Sequence, residues 1–273
     1  MNAPLDLPPV EHRLRPATFE GFKQLLLQGA GISLSDSKQA MVAGRLSRRM
    51  RELDLDGFDD YLRRVHSDAD ERQIAIDLLT TNETHFFREP AHFALLREQI
   101  IPALPAGRTL RFWSAAASSG QEAYSIAMTL ARHAAGRPWD VFGSDISTRV
   151  IDTARRAQYP MALASELPPD YLRAYCLRGI GSQVGSFAIA PEIRQRVSFD
   201  CINLNAALPD VGRFDVVFLR NILIYFRNEA RQRIIERVVE RLHPGGWLLV
   251  GHSESLGDLA KNLQTIAPSV YRR

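Results

Sequence analysis

The sequence predicts an α/β domain with a small all-α domain in front of it and a small β element inserted within it. Three observations carry this expectation. From about Thr18 to Leu104 apolar residues recur at helical spacing without strand-like alternation. From Thr109 onward short apolar runs rich in β-formers alternate with helical segments, the pattern of a parallel sheet with helices on both faces. Between Ala157 and Phe199 a glycine-turned stretch interrupts that alternation. With 45% hydrophobic and 24% charged residues, the 273-residue chain can bury a sizeable core in one or two domains.

Taken in order, residues 1–16 carry three prolines before position 16 and no apolar core of the kind a signal peptide needs, so a flexible tail is expected there. FEGFKQLLL is a helix that stops near Gly29 and Gly31. Ser35 or Asp36 is expected to cap the next helix, running to Leu53, on which Ala43, Leu46, Met50 and Leu53 share an inward face. DGFDDYLRRV and ERQIAIDLL are shorter helices. The helical domain with its linker is assigned to residues 17–88, and the sheet domain to 89–273. In the latter, TLRFWSAA, WDVFGSDIS, RVSFDCINLN, FDVVFLRNILIYF and WLLVGHSE read as strands, EARQRIIERVVERL as an amphipathic helix, and Pro244-Gly245-Gly246 as a turn. The inserted β element is placed at about 168–197.

No segment approaches the roughly 20 apolar residues of a membrane span, so a cytoplasmic protein is expected. Cys176 and Cys201 belong to no Cys/His cluster, so no metal site is implied. The net charge of +3, the pI near 9.0 and local arginine clusters point to an acidic partner for part of the surface.

In a doubly wound sheet, ligands bind beyond the carboxyl ends of the strands. Those positions hold the loop Ser114–Glu122, then Asp145, Asn203 and Asn221. The loop SAAASSGQE is small enough for close approach of a ligand but is not G-x-G-x-x-G, which argues against a nicotinamide enzyme. Asp145 can accept hydrogen bonds from two vicinal hydroxyls, which points to a nucleoside-containing ligand; it equally suits a cap for the helix starting near Ser147. Asn203 and Asn221 also suit turns.

The strings TTNETHFFRE, RFWSAAASSGQEAYSIAM, VFGSDIS, FDVVFLRNILIYF and GHSES resemble the successive motifs of the CheR family, S-adenosylmethionine-dependent methyltransferases that esterify glutamates of bacterial chemotaxis receptors. The similarity runs from about Phe19 to Tyr271. It implies a Rossmann-like methyltransferase domain behind the helical one, with receptor adaptation in chemotaxis or related signalling as the output. Gln121 and Ala123 replace a glutamate and a proline usual in the family; Glu122 is kept.

The resemblance also implies site residues. Asn82, Thr84, Arg88, Glu122, Asp145, Asn203, Leu204, Arg220 and Asn221 would hold the cofactor, and Arg88 and Tyr225 would act on the substrate carboxylate. Thr84 and Arg88, four apart, would share a helix face, with Asn82 in a turn or cap, Phe86 and Phe87 as anchors, and a break at Glu89 before a helix beginning at Pro90. His85 and His92 are expected to pack or cap. Lys38, Arg45, Arg48 and Arg49, with Arg51, would form a basic docking face for an acidic receptor helix, and the loop at Gly179 and Gly181 would serve a receptor tail peptide. The protein would work as a monomer, without nucleic acid, membrane insertion or metal, and would release S-adenosylhomocysteine. A DNA amino-methylase is disfavoured because Arg220-Asn221-Ile222-Leu223 stands where such enzymes carry Asn/Asp-Pro-Pro-aromatic; a binding module without turnover is disfavoured by Arg88 and Tyr225.

Overall fold

The computed structural model describes residues 13–260 and 262–273. The tail expected over 1–16 therefore lies largely outside the described residues. The chain divides between Thr80 and Thr81 into two compact units.

The first unit contains α1 (Pro16–Ala30), α2 (Gln39–Glu52), α3 (Phe58–Ser67) and α4 (Ala69–Leu79). Helix α1 starts at a proline and stops where Gly31 turns left-handed, at φ 75°. A single 3-10 turn, Asp36–Lys38, leads into α2, and Ser35 offers no side-chain cap; its hydroxyl meets that of Ser37 instead. The effective cap is Asp68, whose carboxylate accepts from the N–H groups of Asp70 and Glu71 at the start of α4. The core gathers Phe22, Leu26, Val42, Leu46, Tyr61 and Val65. On α2 the buried stripe is Val42, Leu46 and Met50, not the expected Ala43, Leu46, Met50 and Leu53. The bulkier Val42 lies one turn before Leu46 and takes the core position, which leaves Ala43 and Leu53 half-buried at the flanks.

The second unit begins with α5 (Pro90–Leu95), which runs through one π turn, Leu96–Ile100, into α6 (Ile101–Ala103). Pro102 withholds an N–H there and crowds the carbonyl four residues back, which accounts for the widened turn. Then follow β1 (Leu110–Ser114), α7 (Gln121–His133), β2 (Trp139–Asp145), α8 (Thr148–Arg156), β3 (Gln158–Pro160), α9 (Pro169–Tyr175), β4 (Cys176–Arg178), β5 (Ser186–Ile189), α10 (Pro191–Arg194) and β6 (Val197–Cys201). The chain ends with β7 (Phe214–Leu219), α11 (Asn228–Glu240), β8 (Leu242–Val250), β9 (Gln264–Ala267) and β10 (Val270–Arg272).

The main sheet has the order β6-β2-β1-β7-β8-β10-β9. Its first five strands are parallel and β10 is antiparallel to both neighbours. The order reverses at β1, which opens a crevice between the loops after β1 and β7. Adjacent residues Phe112 and Trp113 enter different hydrophobic cores, as do Phe218 and Leu219, so both faces of the sheet are covered.

Two expectations need correction. Pro244-Gly245-Gly246 is not a turn before the strand but an irregularity inside β8: Phe214 pairs with Leu242 and Val216 with Trp247, with Gly245 at φ 77°. The inserted sheet, ordered β3-β5-β4, begins earlier than residue 168, because Gln158-Tyr159-Pro160 supplies an outer strand too short to show alternation.

Candidate active site

The crevice is built from the loops after the parallel strands. Ala115 N–H bonds to Phe218 O and Ala117 N–H to Ser144 O, which carries the loop after β1 across its neighbours. Gly120, at φ 96°, closes that loop before α7. A Cβ there would lie 2.9 Å from the Ala154 Cβ and 3.0 Å from the Tyr159 hydroxyl, so only glycine fits. Asp145, 8% exposed, ends β2 and faces this loop: its Oδ2 accepts from Ser118 N–H at 2.9 Å and its Oδ1 from Ser147 N–H at 3.0 Å. The bond to Ser147 N–H closes an Asx turn ahead of α8, whose N-cap residue Ser147 makes no side-chain cap bond.

TTNETHFFRE contains no helix up to Glu89, so Thr84 and Arg88 share no helix face and Asn82 stands in irregular chain. From Thr81 the run belongs to the second unit. Asn82 O accepts from Ser118 Oγ at 2.8 Å, and Arg88 Nη1 donates to Glu83 O at 3.2 Å. Phe86 is buried against Tyr159 and Phe187, and Phe87 packs on Phe93 and Tyr171. The helix does begin at Pro90, and Glu89 before it is left-handed at φ 59°. His85 is exposed, whereas His92 is buried beside Glu89.

At the end of β7, Arg220 is 4% exposed. Its Nη2 donates to Arg88 O at 2.6 Å and its Nη1 lies 3.3 Å from His92 Nδ1 and 3.9 Å from Glu89 Oε2. Its Nε lies 2.9 Å from Glu122 Oε2, an ion pair without hydrogen-bond alignment. Glu122 Oε1 in turn accepts from Ser114 Oγ at 2.7 Å. Burial pushes the Glu89 carboxyl up, but the His92 ring, the Arg220 guanidinium and the His252 N–H outweigh it and hold its pKa at about 2. Glu89, His92 and His252 bring three potential metal-ligating atoms within 4.8 Å of one another. The cation already beside that group is the Arg220 guanidinium.

Asn221, left-handed at φ 57°, donates through Nδ2 to Glu89 Oε1 at 3.3 Å. Tyr225 follows in a 3-10 turn, Leu223–Tyr225. Asn203 Oδ1 accepts from Asn205 N–H at 2.9 Å, an Asx turn after β6, and Leu204 is buried with its carbonyl accepting from Arg237 Nη1 at 3.2 Å. The sequence reading passed over Glu89 as a side chain and the buried Glu254 altogether. Both sit inside the quoted motifs, but Glu89 meets the side chains of His92, Arg220 and Asn221 and the N–H of His252, and Glu254 meets backbone N–H groups of two loops, which no spacing announces.

The docking candidates separate into two groups. Arg45 Nη1 donates to Leu79 O and Thr80 O at 2.9 Å, closing the end of α4. Arg49 forks onto Glu71 at 2.9 and 2.6 Å, while the Tyr61 hydroxyl donates to the same carboxylate at 2.8 Å. These two arginines are internal ties of the helical unit. Lys38, Arg48 and Arg51 are exposed, and a cleft of about 1170 Å³ lined by Ala40, Ala43, Gly44, Ser47 and Arg51 runs along the same helix. In the small sheet, a Cβ on Gly179 would come 2.0 Å from Gln183 O, and Gly181 is left-handed at φ 57°. Among the described residues the strand β4 pairs only with β5, and Leu177, Ile180 and Val184 around it are exposed.

Strand order and strand-end chemistry together define a nucleoside-binding α/β fold of the methyltransferase class. Residues 82–271 match the family model of the CheR methyltransferase SAM-binding domain, and residues 17–80 that of the CheR methyltransferase all-alpha domain. The chain is 42% identical over 263 residues to the chemotaxis protein methyltransferase of Escherichia coli, covering 94% of this chain and 91% of that one. It is 39% identical over 256 residues to chemotaxis protein methyltransferase 2 of Pseudomonas aeruginosa, covering 93% and 91%. The Salmonella typhimurium chemotaxis protein methyltransferase is 41% identical over 263 residues, covering 94% and 90%. The chain belongs to the CheR methyltransferase family and is an S-adenosylmethionine-dependent methyltransferase.

Proposed function

We propose that this enzyme transfers the methyl group of S-adenosylmethionine to glutamate side chains in the cytoplasmic domain of bacterial chemoreceptors, giving glutamate methyl esters and S-adenosylhomocysteine. The observation that carries the reading is Asp145: a nearly buried carboxylate at the end of β2, oriented by two backbone N–H groups beside a small-residue loop, in a chain of this family. A carboxylate has about four acceptor positions, so this orientation is compatible with accepting from vicinal ribose hydroxyls. In this reading Asn82, Thr84, Glu122, Asn203, Leu204, Arg220 and Asn221 hold the cofactor, with Arg220 acting through its contacts to the Arg88 carbonyl and the Glu122 carboxylate.

The bound donor supplies a sulfonium methyl, and a receptor glutamate supplies the nucleophile. With a pKa near 4.3, that glutamate is ionised at neutral pH and needs no general base. What the chain must do is align the carboxylate and exclude water, because two opposite charges disappear in the transition state. Arg88 provides a fork for the carboxylate and Tyr225 a hydroxyl donor. The exposed Arg48 and Arg51 of α2, with Lys38 in the turn before it, attract an acidic receptor helix, and the open edge of β4 takes a receptor tail peptide by strand addition. The enzyme acts in the cytoplasm as a monomer and without metal; among the described residues no helix is long and apolar enough to cross a membrane.

Incubation with methyl-labelled S-adenosylmethionine and receptor-containing membranes tests this. Base-labile label on the receptor is the expected result; label on nucleic acid or small molecules alone would overturn it.

A further inference from the structure

Glu254, in the loop after β8, is 1% exposed and bonds only to backbone among the described residues. Its Oε2 accepts from the N–H groups of Asn221 at 2.6 Å and Gly251 at 2.9 Å, and its Oε1 from that of Ile224 at 3.3 Å. The strands β7 and β8 are parallel neighbours, with Leu219 opposite Val250, so one carboxylate gathers amides from two adjacent strand-end loops. A buried charge satisfied this way is costly to remove singly and rigid while intact.

The surrounding sequence is shaped to admit it. A Cβ on Gly251 would lie 2.6 Å from Asn221 Nδ2, 2.7 Å from Glu254 Oε2 and 3.0 Å from Asn221 N, so the two loops can close on each other only across a glycine. Asn221 is held left-handed at φ 57°, a conformation that its neighbours must enforce. The amides so held, at 221 and 224, bracket the start of the 3-10 turn that presents Tyr225. The Tyr225 hydroxyl has no hydrogen-bond partner among the described residues, so its place depends on the backbone beneath it.

We infer that Glu254 is a positioning residue: by clamping the amides of Asn221 and Ile224 it fixes where the Tyr225 hydroxyl stands against the substrate carboxylate. This rests on the reading of Tyr225 as a group that touches substrate.

The test is a double-mutant cycle on the full chain, with methylation of receptor-containing membranes measured at saturating cofactor and receptor. Glu254→Gln replaces one acceptor oxygen by a donor facing an N–H, and is expected to lower kcat on the order of tenfold, with little change in KM for receptor. In a Tyr225→Phe background the same substitution should cost at most about twofold, because there is no hydroxyl left to place. Gly251→Ala, which disturbs the clamp while sparing the carboxylate, should give the same kcat loss and the same coupling to Tyr225→Phe; it decides the matter if Glu254→Gln does not fold. Full kcat in both clamp variants, or an equal loss with and without the tyrosine hydroxyl, would overturn the inference. Full kcat in Tyr225→Phe alone would overturn it together with the role given to Tyr225, whereas a wild-type enzyme that does not methylate receptors would instead refute the proposed function and with it the clamp's purpose.

Discussion

Asp145 holds two backbone N–H groups, and substitutions should separate that role from the ribose contact proposed for it. Asp145→Ala removes both the proposed ribose contact and the acceptor for two backbone N–H groups; it should weaken S-adenosylmethionine binding at least about tenfold, or roughly 1.5–3 kcal/mol, by calorimetry. Asp145→Asn keeps one acceptor oxygen and should lose less; unchanged affinity in both would remove Asp145 from the cofactor site. Glu89 gives a pH dependence. Its folded pKa, held at about 2, lies below the 4.5 of a free glutamate, so its contribution to stability is complete above pH 4.5 and is lost as pH falls toward 2. Glu89→Gln should therefore be less stable than wild type at neutral pH, with the gap in urea midpoint narrowing across that window; a constant gap would contradict the ion cluster. Asp145 was legible in the sequence because it ends a recognisable strand. Glu89 and Glu254 were not, since their importance lies in which distant N–H groups and which arginine meet them.

At the scale of elements, the strong periodicities were readable: the four helices of the first unit, the parallel strands and the long helix α11 fall where apolar spacing puts them. What failed were phase and irregularity. On α2 Leu46 and Met50 face inward as expected, but Val42 takes the place expected for Ala43 and Leu53 stays at the flank, and the linker run before Pro90 is held by Arg220, Ser118 and aromatic packing rather than by helical bonds. The terminal strands β9 and β10 were not read at all, being short and dependent on β8 for their pairing. The phase of α2 decides an experiment. Burial pushes the Tyr61 hydroxyl pKa up, and Arg49 first among its neighbours holds Glu71 below the usual carboxylate range. Arg49→Ala leaves Glu71 buried without its cation, with only the Tyr61 hydroxyl still donating to it, and should cost about 3 kcal/mol in urea unfolding. Arg48→Glu with Arg51→Glu, on the exposed side, should leave stability within about 0.5 kcal/mol yet raise KM for receptor and flatten its salt dependence. Wild-type KM in that double variant would exclude α2 as the docking element.

For the molecule as a whole, the family models divide at the same place as the packing, 17–80 and 82–271 against a split between Thr80 and Thr81. Each unit has its own buried core, so hydrogen exchange should report on them separately: S-adenosylhomocysteine at about 100 times its Kd should add about 2.7 kcal/mol of protection to residues from Thr81 onward. Equal protection on both sides of Thr80 would place part of the cofactor's contacts in the helical unit. Within the second unit, Tyr159 stands on β3, yet its hydroxyl donates to Ser119 O at 2.8 Å in the loop of the cofactor crevice, and its ring meets both Phe86 and Phe187. The small sheet is thereby geared to the cofactor loop through one aromatic side chain. Gearing works in both directions: whatever factor a tail peptide on β4 changes the affinity for S-adenosylhomocysteine, the cofactor product must change the peptide's affinity by that same factor. Under the proposed docking of a receptor tail on β4, a peptide that tightens the hold on spent cofactor would itself be held more tightly while that product occupies the site.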